Sequence, residues 1–366
     1  MISFAKSRIC LGLTPLVTPL VMLLGCGGGN DAIIQPPPAD PFAAVAQRLD
    51  AAAASDAPAD LTGFGLAVID RSGQVVFERR YGDFDPEQPY AVASASKLVT
   101  SLVLLRLVDQ RFLSLDDTTA AVLGWSGPQG EITLRHLLSF TSGLPPTVSC
   151  TSVSEDTLAG CVAQIQLLDP VASPGQRFDY GNTHMHVAAR MAEAVTGSSW
   201  NTIVEAQLRQ PLGLPDPLTY YTFPRARLGT SNPLAAGGLV TRLPDYAVLM
   251  GLVLNDGEHQ GNPLIDAALI EAITVEPYPG VTVGEVPTMI EDLGFRYGLG
   301  AWLECATPAD GCAVVSSPGL FGWTPWVDRE AGYIAILGME GIPSGDLVPF
   351  AVMLAQDLQP LIRDAL

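Results

Sequence analysis

The sequence predicts an α+β fold: an antiparallel sheet flanked by helices and built from both ends of the chain, with an all-helical region inserted between. Three observations predict it. Strand-like alternation appears at residues 64–77 and again from 298 to 337. Most of the chain from 113 to about 287 is helical in pattern, broken by long Pro/Gly loops. Residues 94–108 are apolar nearly all round (Leu98, Val99, Leu102, Val103, Leu104, Leu105, Leu107), as suits a helix buried in the middle of a molecule. At 366 residues, 48% apolar and 16% charged, the chain can hold one large core or two modest ones.

Taken in order, the first element is outside that core. Lys6 and Arg8 precede an apolar stretch, 9–24, interrupted by Pro15 and Pro19. It is short for a membrane span and has the layout of a secretory signal over residues 1–25. It ends in Leu23-Leu24-Gly25-Cys26, which resembles the bacterial lipobox, whose Cys becomes the lipidated first residue of the mature protein. Leu24 is bulkier than the usual small residue there, so an ordinary signal peptide is the alternative. One lipidated Cys would anchor the protein to a membrane rather than span it. Residues 26–41, with Gly27-Gly28-Gly29 and Pro36-Pro37-Pro38, read as a flexible tether.

A single domain follows, 42–366. Residues 42–54 read as an Ala-rich helix. Residues 64–70 alternate, Arg71-Ser72-Gly73 turns the chain, and Val75-Val76-Phe77 completes a β-hairpin. After the helical region come expected strands at 298–304, 313–316, 322–328 and 333–337. Their turns fall at Thr307-Pro308-Ala309-Asp310-Gly311 and Arg329-Glu330, and a last helix covers about 347–363. The α/β region is thus about 42–110 and 290–366, and the helical region about 111–289.

Export makes disulfides plausible. Beyond Cys10 and Cys26 the chain has Cys150, Cys161, Cys305 and Cys312, which allow three pairings. Short separations favour Cys150–Cys161 and Cys305–Cys312. These spacings do not suit zinc and no His lies beside either pair, so no metal or other cofactor is expected. Loss of Lys6 and Arg8 would take the net charge from -19 to -21, which repels nucleic acid and anionic lipid surfaces.

The whole chain has two lysines, Lys6 and Lys97. A surface that otherwise uses only Arg keeps one Lys, on an apolar helix, three residues after Ser94. Residues three apart share a helix face, so hydroxyl and amine can meet at the helix N-terminus, where free N–H groups favour a developing alkoxide. Serine is a weak nucleophile until a base takes its proton, and a desolvated lysine can be that base. The plainer reading makes Ser94 a helix cap and Lys97 a surface charge; it explains the serine and leaves the lysine unexplained.

Ser94-Ala95-Ser96-Lys97 resembles the S-x-x-K motif of serine β-lactamases, penicillin-binding proteins and their esterase relatives. Further segments follow in that family's order. Residues 132–144, ITLRHLLSFTSGL, resemble a segment of the class C β-lactamase-like group, with Phe140 where His is usual. Tyr180-Gly181-Asn182 resembles the Y-x-N second motif, and Pro211-Leu212-Gly213-Leu214 and Ala236-Gly237-Gly238-Leu239-Val240 resemble recurrent segments. The resemblance covers about 45–360. It implies an α/β sandwich carrying a helical region, with the site between them. It also implies Tyr180 as proton carrier for Ser94 and the leaving group, and Asn182 as a partner of the acyl side or of Lys97. Alone, Tyr180 could equally be a buried phenol and Asn182 a turn residue.

The third motif departs. Where the family has K-T-G, K-S-G or H-x-G, this chain has Ser317-Pro318-Gly319, then Leu320. Gly319 would keep the strand open to substrate, and the N–H groups of Ser94 and Leu320 would form an oxyanion hole. Ser317 offers only a neutral hydrogen bond where a cation would meet a carboxylate, unless an Arg from elsewhere reaches in. The expected substrate is therefore a small acyl compound, an uncharged ester or amide before a β-lactam. The alternatives are a β-lactamase or D,D-carboxypeptidase acting on peptidoglycan, or a weakly catalytic binder of an acyl ligand or cell-wall peptide. His259-Gln260-Gly261 also spells H-x-G but sits in a polar loop. His184 and His186, two apart, should diverge on a helix rather than chelate.

Overall fold

The computed structural model describes residues 40–153, 156–222, 229–305, 311–342 and 346–366. The expected signal peptide, most of the tether, Cys26 and most of the turn at 307–311 lie outside these residues. Residues 40–366 form one compact unit.

A seven-stranded antiparallel sheet carries the fold. Its strands are β1 (Leu61–Asp70), β2 (Val75–Gly82), β3 (Arg296–Tyr297), β4 (Trp302–Leu303), β5 (Val314–Ser316), β6 (Thr324–Asp328) and β7 (Tyr333–Gly341). The order is β3-β4-β5-β6-β7-β1-β2, so strands from the two ends of the chain meet at β1 and β7, in register from Leu61↔Gly341 to Asp70↔Tyr333. The hairpin β1–β2 forms because the Asp70 carboxylate accepts the N–H groups of Ser72 and Gln74 at 2.8 and 3.0 Å. Gly73 takes the left-handed conformation that closes the turn (φ +86°).

Alternation along the strands sends side chains to two cores. Phe64, Leu66 and Val68 of β1, with Tyr333, Ala335 and Leu337 of β7, pack beneath helices α1 (Ala43–Ala51) and α5 (Leu347–Ala365). Ala67, Ile69, Ile334 and Ile336 face the other way and join the larger core around α2 (Ser96–Asp109), α3 (Thr183–Thr196) and α4 (Leu243–Leu254). Seven apolar side chains of α2, from Leu98 to Leu107, are at most 1% exposed, which accounts for a helix without a polar face.

Two boundaries differ from expectation. The strand expected over 298–304 is a hairpin, β3–β4, whose turn is closed by the Gly298 N–H donating to the Ala301 carbonyl at 2.9 Å. Gly300 sits there at φ +87°, so close to Ser101 that a Cβ would lie 2.0 Å from its Oγ. The helix expected from 94 begins at Ser96, after a 3-10 turn, Ala93–Ala95.

Disulfides join Cys150 to Cys161 and Cys305 to Cys312, the pairing that the short separations favour. Two disulfides fit an oxidising compartment. Among the described residues no helix is long and apolar enough to cross a membrane.

Candidate active site

Ser94 sits in the tight turn that leads into α2. The preceding residue, Ala93, is held at φ +46°, an unfavourable conformation for a residue with a Cβ. The surroundings hold it there. The Ser96 hydroxyl donates to the Ala93 carbonyl at 2.6 Å and accepts the Leu239 N–H at 3.0 Å. Tyr246 of α4 donates to the Ala95 carbonyl at 2.9 Å, and the Val92 N–H donates to the Leu239 carbonyl at 3.0 Å. The turn that carries Ser94 is thus tied to a helix and to the segment that contains Ala236–Val240.

In the first turn of α2, Lys97 is 1% exposed. Its Nζ lies 3.0 Å from Ser94 Oγ, 2.9 Å from the Ala236 carbonyl and 3.4 Å from Asn182 Oδ1, and 4.7 Å from the centre of the Tyr180 ring. It makes no ion pair among the described residues, and burial pulls its pKa down to about 7. The Ala236 carbonyl and Asn182 Oδ1 can only accept hydrogen bonds. A neutral amine therefore gives both N–H groups to them and turns its lone pair toward the Ser94 hydroxyl.

Tyr180 reaches the site from a strap on the helical side. Arg177–Phe178 pairs in parallel with Thr282–Val283. The Tyr180 N–H donates to the Glu285 carbonyl at 2.7 Å, and the Glu285 N–H donates to the Asp179 carboxylate at 2.9 Å. Gly181 is required by closeness, since a Cβ would fall 1.9 Å from the Pro146 carbonyl oxygen. Burial raises the Tyr180 pKa to about 12, against hydrogen-bonding contacts with Ser94 and the Trp302 indole that lower it. The phenol is therefore protonated at neutral pH.

Phe140, at φ +59° and fully buried, stacks between His184 (4.9 Å) and Tyr297 (4.7 Å) and meets Tyr180 edge-on at 5.4 Å. His184 donates from Nε2 to the Asp179 carbonyl (2.9 Å), so its Nδ1 accepts from Ser142 (2.8 Å). Burial holds it neutral, with a pKa of about 4. His186 instead contacts Asn232 at 3.3 Å, so the two histidines diverge as their spacing implies. His259 lies in a separate short hairpin with Asn262.

The third segment is arranged differently from the expectation. Ser317 does not present its proton to a substrate: it is 4% exposed and donates to the Ser94 carbonyl at 3.2 Å. Gly319 lies against the same turn, where a Cβ would be 2.1 Å from the Val92 carbonyl oxygen. This close approach is what the glycine permits. Leu320 follows, 58% exposed, and its N–H has no hydrogen-bond acceptor among the described residues.

Ser94, Lys97, Tyr180 and Asn182 therefore converge, with Gly319 against their turn. Sequence reasoning missed the Ala236 carbonyl, because its segment was noticed only as recurrent and a backbone acceptor leaves no residue signature. It also missed Trp302 and Tyr297, which stack on or against Tyr180 at 5.0 and 5.9 Å from strands that the sequence did not separate.

A family model described as Beta-lactamase matches residues 47–341. Penicillin-binding protein 4 of Amycolatopsis lactamdurans is 28% identical over 181 residues, 48% of this chain and 47% of that protein. Protein flp of Staphylococcus aureus (strain COL) is 26% identical over 168 residues, 42% of this chain and 34% of that protein. The match spans about a third to a half of the length of these curated relatives. Among solved structures, a candidate β-lactamase from Bacteroides dorei DSM 17855 superposes with a TM-score of 0.74 at 26% identity, covering 86% of this chain and 98% of that one. EstCE1, a hydrolase with promiscuous acyltransferase activity, gives 0.66 at 20% identity over 88% and 98%, a likeness of fold.

Proposed function

The chain belongs to the β-lactamase family, and on that premise we propose that it is an exported serine hydrolase that cleaves neutral esters or amides through an acyl-enzyme on Ser94. The observation that carries this reading is the buried Lys97 amine, 3.0 Å from Ser94 Oγ, without a carboxylate partner and with its pKa pulled to about 7. A lysine in that state is a base at neutral pH and is poorly suited to any structural ion pair.

The geometry supports one sequence of events. Ser94 Oγ bonds to the substrate carbonyl carbon while its proton passes to Lys97 Nζ. The oxygen that gains charge is received by the N–H groups of Ser94 and Leu320. Collapse breaks the bond to the leaving group, which takes a proton relayed from Lys97 through the Tyr180 hydroxyl. Water then attacks the acyl carbon, giving its proton back along the same route; collapse breaks the bond to Ser94 Oγ, which takes that proton from Lys97 as the acid leaves. Tyr180, protonated at neutral pH, acts as relay and Lys97 as base.

The preference for neutral substrates follows from the third segment, where the Ser317 hydroxyl is engaged with Ser94's own backbone. No cation in that segment meets a carboxylate. The likeness to penicillin-binding protein 4 favours a second reading, a β-lactamase or D,D-peptidase. Steady-state rates on p-nitrophenyl esters and on a penicillin separate the two. The ester should have the higher kcat/KM by at least tenfold; equal values favour the second reading. Residues 1–25 as signal, Cys26 as lipidated anchor and 42–366 as the catalytic domain complete the proposal.

A further inference from the structure

Thr100 is a fully buried polar residue on a helix of apolar neighbours, and no step of the reaction above uses it. It lies three residues after Lys97 and shares its face of α2. Its hydroxyl is 2.6 Å from the Ala235 carbonyl and 3.0 Å from the Tyr220 hydroxyl. A carbonyl can only accept, so the Thr100 proton goes to Ala235 and Tyr220 donates to Thr100. The Ser96 carbonyl, at 3.5 Å, is the more distant acceptor for that phenol. Burial raises the Tyr220 pKa, so the phenol keeps the proton that it shares. A chain of two hydrogen bonds thus ends on the residue just before Ala236, whose own carbonyl accepts from Lys97.

The turn that bears the Ala236 carbonyl is fixed on its other sides. Gly237 donates to the Leu234 carbonyl at 3.0 Å, from the same peptide unit whose oxygen faces Lys97. Gly238 donates to that carbonyl at 2.7 Å, in a return so close that a Cβ there would lie 2.4 Å from the Tyr221 carbonyl oxygen. Beyond the turn, Tyr220 pairs with Leu239 in a short antiparallel ladder. The first two turns of α2 therefore hold this segment at three points: Ser96 at Leu239, Lys97 at Ala236 and Thr100 at Ala235. An amine on a flexible four-carbon stem has no fixed direction of its own and takes its orientation from its acceptors.

We propose that Thr100, backed by Tyr220, is a positioning residue for Lys97: it holds the turn so that the Ala236 carbonyl takes an N–H of the amine and the lone pair stays on the Ser94 hydroxyl. The proposal rests on the Ser94 and Lys97 reading above and deepens it. Without the Thr100 hydroxyl the turn relaxes and the amine is less well aimed, so kcat falls. An acceptor binds the charged amine more strongly than the neutral one, so its loss moves the acid limb of the pH profile to lower pH. Water entering a merely loosened core would move that limb the other way, toward the ordinary lysine value. Tyr180 and His184, the titratable groups that face the amine, stay a protonated phenol and a neutral imidazole between pH 5 and 9, so the limb reports Lys97.

The test measures kcat and KM for p-nitrophenyl acetate from pH 5 to 9 in the wild type, Thr100→Val, Thr100→Ser and Tyr220→Phe, with mass spectrometry of the Ser94 adduct in the wild type. Thr100→Val keeps the shape and loses the hydroxyl. It should lower kcat about tenfold, change KM less than about twofold and shift the acid limb down by about half a pH unit. Thr100→Ser should keep kcat within about threefold of the wild type, with the limb in place. If Thr100→Val does not fold, Tyr220→Phe decides: it should lower kcat about threefold with KM unchanged, and wild-type kcat would overturn the role. A wild-type profile in Thr100→Val, a limb shifted upward, or Thr100→Ser as slow as Thr100→Val would overturn the positioning role alone. No Ser94 adduct in the wild type would overturn the reading of the site, and the role of Thr100 with it.

Discussion

The Ser317 hydroxyl donates to the Ser94 carbonyl at 3.2 Å, which binds the segment that follows β5 to the turn that carries Ser94. That turn holds Ala93 at φ +46°, so each tie that restrains it contributes to holding Ser94 Oγ over Lys97 Nζ. Ser317 is in this account a positioning residue for the nucleophile.

Ser317→Ala should therefore lower kcat on a neutral ester about tenfold, the effect of one lost hydrogen bond, with KM changed less than twofold. Rising KM at constant kcat would return Ser317 to direct substrate binding. Ser317→Lys should not gain β-lactam turnover, because the side chain replaces a group that is 4% exposed.

Much of this was legible in the sequence, and the limits have physical causes. Ser94 and Lys97 stand out because S-x-x-K on an apolar helix and a lone lysine are local signals, whereas Tyr180 and Asn182 are legible only through the resemblance to the Y-x-N motif. The strands of β1 and β7 were visible through alternation. The split of 298–304 into β3 and β4 was not, since Gly298 and Gly300 interrupt an apolar run too short to show its period. The aromatic wall joins Phe140, Tyr180, Tyr297 and Trp302 from four places in the chain, and only tertiary pairing brings them together. Ser317 stands where the motif would place a cation, but the sequence does not say which way its hydroxyl turns, and it donates to the Ser94 carbonyl.

Acylation should depend on the neutral Lys97 amine. With the pKa near 7, kcat/KM should fall about tenfold per pH unit below that value and level off about one unit above it. Tyr180, raised to about 12, should leave the alkaline side flat to the limit of stability. A profile independent of pH between 5 and 9 would contradict Lys97 as the base.

Lys97 should also destabilise the fold it serves. Its pKa falls on folding from 10.5 to about 7, so the unfolded chain binds more protons between those values and stability rises with pH across that window. The penalty is complete below about pH 7 and is on the order of 5 kcal/mol. Lys97→Met should abolish acylation and raise Tm by a few degrees at pH 6, the gain reduced by the acceptors of Ala236 and Asn182 left unpaired. The gain should shrink by pH 9.5. A variant less stable than wild type at both pH values would contradict the cost assigned to the buried amine.

Export can be tested apart from chemistry. In a bacterial host the protein should fractionate with membranes, and Cys26→Ser should lose the lipid and become soluble after processing. A mature soluble protein beginning elsewhere would support the ordinary signal peptide instead.

Whether Ser94 carries the acyl group is read by mass spectrometry of the protein after reaction with a fluorophosphonate and with p-nitrophenyl acetate. The wild type should gain one adduct, mapped to the peptide that contains Ser94, and Ser94→Ala should gain none with either reagent. An adduct that persists in Ser94→Ala, or that maps to another serine in the wild type, would contradict the account.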